Sequence, residues 1–78
     1  MDTIFLSELR PGESCRLQAL RLYGGMRRRL RDLGLLPGVQ MQCAFVAPAG
    51  SPMAFWVKHA MIALRKDDCR RILVRRCG

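Results

Sequence analysis

The fifteen residues from Gly25 to Val39, GMRRRLRDLGLLPGV, constrain the fold of this 78-residue chain more than any other segment. Met26, Leu30 and Leu33 recur at i, i+4 and i+7, the spacing of one face of a helix about two turns long. Gly34 follows the last apolar position, where a residue without a Cβ can close the helix in the left-handed conformation. Leu35 then sits two places beyond the cap and can fold back onto Leu30, the contact that accompanies a Schellman stop. Leu36-Pro37-Gly38-Val39 predicts a type II turn, because Pro pre-sets φ at its second residue and Gly supplies positive φ at its third. Gly34, Pro37 and Gly38 are therefore read as structural residues, and the turn launches the next strand.

The flanking segments alternate. Cys15, Leu17 and Ala19 face one way and Arg16 and Gln18 the other, as a half-buried strand over 14–20 requires. Tyr23-Gly24-Gly25 breaks that strand before the helix. Val39, Met41, Cys43 and Phe45 alternate with polar or small residues and predict a second strand. Residues 47–52 read as a loop, Met53–Val57 as a third strand and Met61–Arg65 as a fourth, with a turn over Lys58–Ala60. Lys66–Cys69 reads as a one-turn connector capped by Asp67 or Asp68. Ile72 and Val74 mark a fifth strand. These elements predict a mainly β fold, a small SH3-like five-stranded antiparallel barrel with one short α-helix between strands 1 and 2. Closure of such a barrel removes exposed edges.

Half the residues are apolar, enough for one small core, so residues 1–78 read as a single domain. A domain of this size gains stability from a partner or from self-association into a homo-oligomer. No run approaches the roughly 18 apolar residues of a membrane helix, and MDTIFLSELR lacks the features of a signal peptide, so a cytoplasmic location is expected. In that compartment Cys15, Cys43, Cys69 and Cys77 stay reduced. None forms a C-x-x-C pair, and Cys15 and Cys43 fall on inward positions, where core packing outranks metal ligation.

The net charge of +8 is patterned. Residues 27–32 carry net +3 and residues 65–76 net +4, which favours an anionic partner. Arg27, Arg28, Arg29 and Arg31 surround an inward-facing Leu30. They form either a solvated polar face or a docking surface for acidic groups, to which Arg binds bidentately. Arg27, Arg28 and Arg31 are the candidates for partner contact. Phe55 and Trp56 project to opposite faces of their strand, so one fills the core and the other, taken as Trp56, is a candidate contact residue. No aromatic residues interleave with the helix arginines, which makes specific nucleic-acid binding the weaker alternative. His59, the only histidine, is a weak metal candidate and a better turn residue, since His tolerates left-handed φ. No Walker A loop, nucleophile elbow, H-E-x-x-H pair or carboxylate cluster is present, and a non-catalytic binding module is expected.

R-R-L-R-D-L-G-L-L-P-G, residues 28–38, resembles the signature of the FeoA family, small bacterial proteins of ferrous iron transport. Ile62-Ala63-Leu64-Arg65 is similar to that family's I-A-L-R strand. Leu6-Ser7-Glu8-Leu9 with Pro11-Gly12 fits its opening. The chain departs from the family pattern at His59 and Ala60, where Gly and an aromatic residue are usual. The resemblance implies an SH3-like fold and an accessory role in Fe(II) uptake, exerted on the cytoplasmic GTP-binding region of the FeoB transporter. It also implies an association with transition metals such as Fe(II), although no convincing intrinsic ligand set is visible. A basic module of this kind lies at most at the membrane periphery, drawn by anionic lipids. Two rival functions remain open at this point: a small basic nucleic-acid-binding barrel, and a transition-metal carrier using cysteines and His59.

Overall fold

The computed structural model describes residues 2–77. Strands β1 (Thr3–Phe5), β2 (Ser14–Leu20), β3 (Gln40–Val46), β4 (Met53–Val57), β5 (Ala60–Leu64) and β6 (Ile72–Arg76) form one antiparallel sheet. Its order is β1-β6-β2-β3-β4-β5. Helix α1 (Gly24–Asp32) connects β2 to β3, and a one-turn helix α2 (Lys66–Cys69) connects β5 to β6. The fold is mainly β with one principal helix, as expected, but it has six strands rather than five. The additional strand, β1, pairs Ile4 with Val74 of β6. Three residues are too few for an alternation to register in sequence.

The sheet also keeps two ends. β1 and β5 are not hydrogen-bonded to one another among the described residues, so backbone closure is incomplete. Two bulges bend the sheet. The β2–β6 register shifts between Leu17 and Ala19, and the β3–β4 register shifts between Cys43 and Phe45. An inserted residue swaps the faces of every side chain after it. That swap corrects two expectations: Ala19 is only half-buried and Phe45 is 49% exposed, while Leu20 and Val46 pack on the core instead.

Helix α1 ends as its residues dictate. Leu33 is the C-cap, Gly34 takes φ +100°, and the Gly34 N–H donates to the Arg31 carbonyl at 3.0 Å. The Leu35 N–H donates to the Leu30 carbonyl at 3.0 Å, which completes both bonds of a Schellman motif. Leu30 and Leu35 are both buried in the core, at 1% and 0% exposure. Leu33 was expected on the same face but is 49% exposed, because the chain leaves the helical path there and Leu35 takes the inward place. Gly38 (φ +90°) closes the following turn, with the Val39 N–H donating to the Leu36 carbonyl at 3.0 Å. Gly38 and Val39 then bond Leu17 of β2, fixing where β3 starts.

Leu6, Leu17, Leu30, Leu35, Phe55 and Ile72 are among the fully buried side chains, and no polar side chain is buried among the described residues. Burial of each such side chain is worth about 1.5–3 kcal/mol, so the hydrophobic effect supplies the stability. Phe55 is buried and Trp56 is 44% exposed, on opposite faces of β4. Cys15, Cys43 and Cys69 are buried as free thiols. Neither Asp67 nor Asp68 caps α2 with a side-chain bond. Ser51 Oγ accepts from the Lys66 N–H at 3.2 Å, and Asp67 instead pairs with Arg70 at 3.0 Å on the surface. The loop brings Ser51 to that position, so the acids are left to favour the helix N-terminus electrostatically.

One polar tie fastens the N-terminal turn. The Arg10 N–H donates to Glu13 Oε1 at 2.8 Å, and Arg76 Nε donates to Glu13 Oε2 at 3.0 Å. The hydrogen bond from the Arg10 amide holds the Glu13 carboxyl below its ordinary value of 4.5; burial opposes it, and the Arg76 guanidinium adds smaller lowering contributions.

Two outcomes are expected. Gly34→Val should cost more than ~1 kcal/mol in chemical denaturation, since a β-branched side chain strains positive φ even where space is free. The nearest neighbour of an added Cβ is Lys58 Cδ at 3.9 Å, so steric collision is not the cause. For Glu13, a lowered folded pKa contributes stability above the unfolded value that is lost as pH falls through the folded one. The denaturation midpoints of the parent and Glu13→Gln proteins should therefore differ at neutral pH and converge well below pH 4.5.

Candidate functional site

Helix α1 carries four arginines on nine residues, and their spacing sorts them. Arg27 and Arg31 stand one turn apart on the same face, with Arg28 beside them. Together with Gly24 and Asp32 they line a shallow cleft of about 470 Å³. Gly24 contributes no side chain, so the start of the helix is open there. A second recess of about 220 Å³ adjoins the first and shares Arg27 and Arg31 with it. Its remaining wall comes from Gln18, Ala19 and Leu20 at the β2 bulge, and from Leu35 and Pro37. The bulge and the Pro37 turn thus place an apolar surface next to the arginine stems.

All four helix arginines are exposed, and none has a carboxylate partner within ion-pair distance among the described residues. Arg29 and Arg31 fall in the last turn, where a cation is favourable against the helix dipole. Arg27 and Arg28 are the fourth and fifth of the nine helical residues, outside that last turn, and gain no such favourable dipole contact. Local stability therefore does not account for those two. What it leaves is a concentrated positive potential with free guanidinium forks.

Trp56 does not join this cleft. It lies on the outer face of the sheet, opposite Gln42 of β3 and Met61 of β5. Phe45 and Met61 are also exposed there, at 49% and 46%. The sequence reading missed this apolar face, because the bulge that turns Phe45 outward leaves no mark in the alternation.

His59 (φ +70°) and Lys58 (φ +47°) form the two-residue loop of the β4–β5 hairpin. Positive φ at both positions is the type I′ geometry that matches strand twist. Among the described residues no three His, Cys, Asp or Glu side chains form a group that could hold a metal ion. Burial, reinforced by neighbouring Cys77 and Cys43, pushes the Cys15 thiol up to about 12, and burial chiefly pushes Cys69 up to about 12. Thiolate is the ligating form, so these two behave as small hydrophobes. Among the described residues no helix is long and apolar enough to cross a membrane.

The chain was compared with known proteins. A family model described as the FeoA domain matches residues 4–76. The solution structure of a FeoA protein from Chlorobium tepidum is 28% identical, with a TM-score of 0.92, covering 96% of this chain and 71% of that one. Iron(II) transport protein A from Clostridium thermocellum is 32% identical, with a TM-score of 0.91, covering 96% of this chain and 46% of that one. FeoA of Stenotrophomonas maltophilia, a procaryotic SH3 domain protein complexed with zinc, is 29% identical. Its TM-score is 0.76, and the match covers 95% of this chain and 89% of that one. Comparison with curated proteins gives no match. With the family model spanning nearly the whole chain and the SH3-like sheet shared with solved relatives, the chain belongs to the FeoA-domain family.

Proposed function

We propose that this chain is a non-catalytic cytoplasmic accessory protein of ferrous iron uptake, and that Arg27, Arg28 and Arg31 dock it onto an acidic face of the cytoplasmic, GTP-binding region of a FeoB transporter. The observation that carries the docking surface is the set of exposed guanidinium groups on α1 that have no carboxylate partner among the described residues, two of them outside the last turn where the helix dipole favours a cation. A protein surface bearing carboxylates complements that potential and its fork geometry. The transport role is supported by family membership and by the Stenotrophomonas maltophilia relative, which is described as a candidate ferrous iron transport activating factor.

The same chemistry weighs against the rivals. A nucleic-acid surface would join aromatic platforms to its cations, and Trp56 lies away from the arginine cleft. A metal carrier would need grouped ligands, whereas Cys15, Cys43 and Cys69 are buried and His59 serves a turn.

Replacing Arg27, Arg28 and Arg31 together with Glu should preserve the fold, because Leu30 and Leu35 carry the inward packing. Affinity for the purified cytoplasmic domain of FeoB, measured by calorimetry, should fall by at least about tenfold. Nanomolar, sequence-dependent nucleic-acid binding that survives physiological salt would instead promote the rival barrel.

Titration with Fe(II) or Zn(II) under reducing conditions should give only weak binding to the monomer. Sub-micromolar binding that disappears in Cys→Ser or His59→Ala variants would move the chain into the carrier class.

A further inference from the structure

Strand β5 ends the sheet, and β4 takes only one of its two edges. The β4–β5 hairpin has a two-residue loop with Val57 opposite Ala60. In that geometry Ala60, Ile62 and Leu64 exchange hydrogen bonds with β4, and the N–H and C=O groups of Met61 and Ala63 point to the free edge. Among the described residues no backbone bond from another element reaches residues 60–64.

Native sheet edges are commonly protected by charges, proline or bulges. AMIAL, the sequence of β5, contains no charge and no proline, and its five pairs with β4 run without interruption. The opposite end of the sheet is only three residues long. The free edge of β5 is thus uncharged, uninterrupted and longer than the edge at the other end of the sheet.

A groove of about 370 Å³ runs between that edge and α1. Its apolar lining includes Leu30 and Leu33 of the helix and Ile62 and Leu64 of the strand. Ile62 and Leu64 are the most exposed members of the core, at 8% and 7%, as expected where the core opens onto a groove. The cations Arg29 and Arg65 also line it, against one acid, Asp68. Lys58 and Lys66 bracket the strand in sequence.

Charge decides the occupant. If a second copy paired antiparallel over the full strand, Ala60 would face Leu64 and Lys58 would face Lys66 at each end, a like-charge opposition that destabilises strand pairs. An extended segment with acidic ends would meet cations at both ends and apolar pockets between. We propose that the free edge of β5 and the groove beside α1 form a strand-addition site for an extended, acidic segment of another polypeptide. Its backbone pairs with Met61 and Ala63, and every second side chain enters the groove. This site shares no residue with the cleft of Arg27, Arg28 and Arg31, so either can fail without the other.

The probe is a labelled synthetic peptide, Asp-Glu-Val-Thr-Leu-Thr-Val-Asp-Glu, titrated into the full chain with amide NMR and hydrogen exchange as readouts. Expected are micromolar binding and new protection of the Met61 and Ala63 amides, which exchange faster than those of Ile62 and Leu64 in the free protein. N-methylation of alternate peptide amides, or Ala63→Pro, should weaken binding by at least about tenfold, because either removes a donor from the new ladder. Should Ala63→Pro fail to fold, the double variant Arg29→Glu, Arg65→Glu carries the test and should weaken binding at least about fivefold. Absence of binding at millimolar peptide, equal binding of the N-methylated peptide, or shifts confined to the Arg27, Arg28 and Arg31 side would overturn the proposal. So would a concentration-dependent dimer in the absence of peptide that protects the β5 amides.

Discussion

Two backbone hydrogen bonds at the end of α1, from Gly34 to Arg31 and from Leu35 to Leu30, fix most of what this domain presents to its surroundings. They stop the helix after Asp32, turn Leu35 into the core and release the chain toward the Pro37–Gly38 turn. Without the reversal, Leu33 would compete for the inward place and the helix would rotate about its axis. The arginines would rotate with it. The Schellman motif is therefore as much a determinant of surface chemistry as of folding, because the side that Leu30 and Leu35 bury decides which guanidinium groups share the open side.

The reversal was legible in the chain because its chemistry is local. Gly at positive φ, Pro at a turn's second residue and a leucine two places past the cap each carry their own geometric requirement. The SH3-like arrangement and the placement of Phe55 and Trp56 on opposite faces followed from alternation in the same way. The parts that escaped are those decided by contacts between elements. Among the described residues β1 pairs with no strand but β6, and three residues carry no period of their own. The bulges at Gln18 and Ala44 invert the faces of Ala19 and Phe45, yet neither Gln nor Ala announces a bulge. Ser51 caps α2 across fifteen residues of sequence, so the nearer Asp67 and Asp68 were the natural but incorrect candidates.

The candidate surfaces divide along the same line. Arg27, Arg28 and Arg31 are visible as a cluster because a helix converts spacing into adjacency. The groove beside β5 joins residues more than thirty positions apart, from Leu30 to Leu64, and exists only once the sheet has curled the strand toward the helix. Helix α1 thus serves two neighbourhoods, one charged and one apolar, on faces separated by its own diameter. A change that tilts the helix would alter both together, whereas a change of side chain on one face leaves the other intact.

The cysteines illustrate how burial divides chemically identical groups. Cys15, Cys43 and Cys69 are enclosed by apolar side chains, and Cys15 and Cys69 are held protonated up to about 12, so peroxide and alkylating reagents meet neither a nucleophile nor an opening. Cys77 is only half-buried, tied through its N–H to the Ser14 carbonyl at 2.9 Å beside the start of β2. Thiol oxidation in the folded domain is thereby channelled to one sulfur, that of Cys77. The interior takes three thiols out of reach of solvent, and a mass shift at Cys77 would register exposure to oxidant while the sheet remained intact.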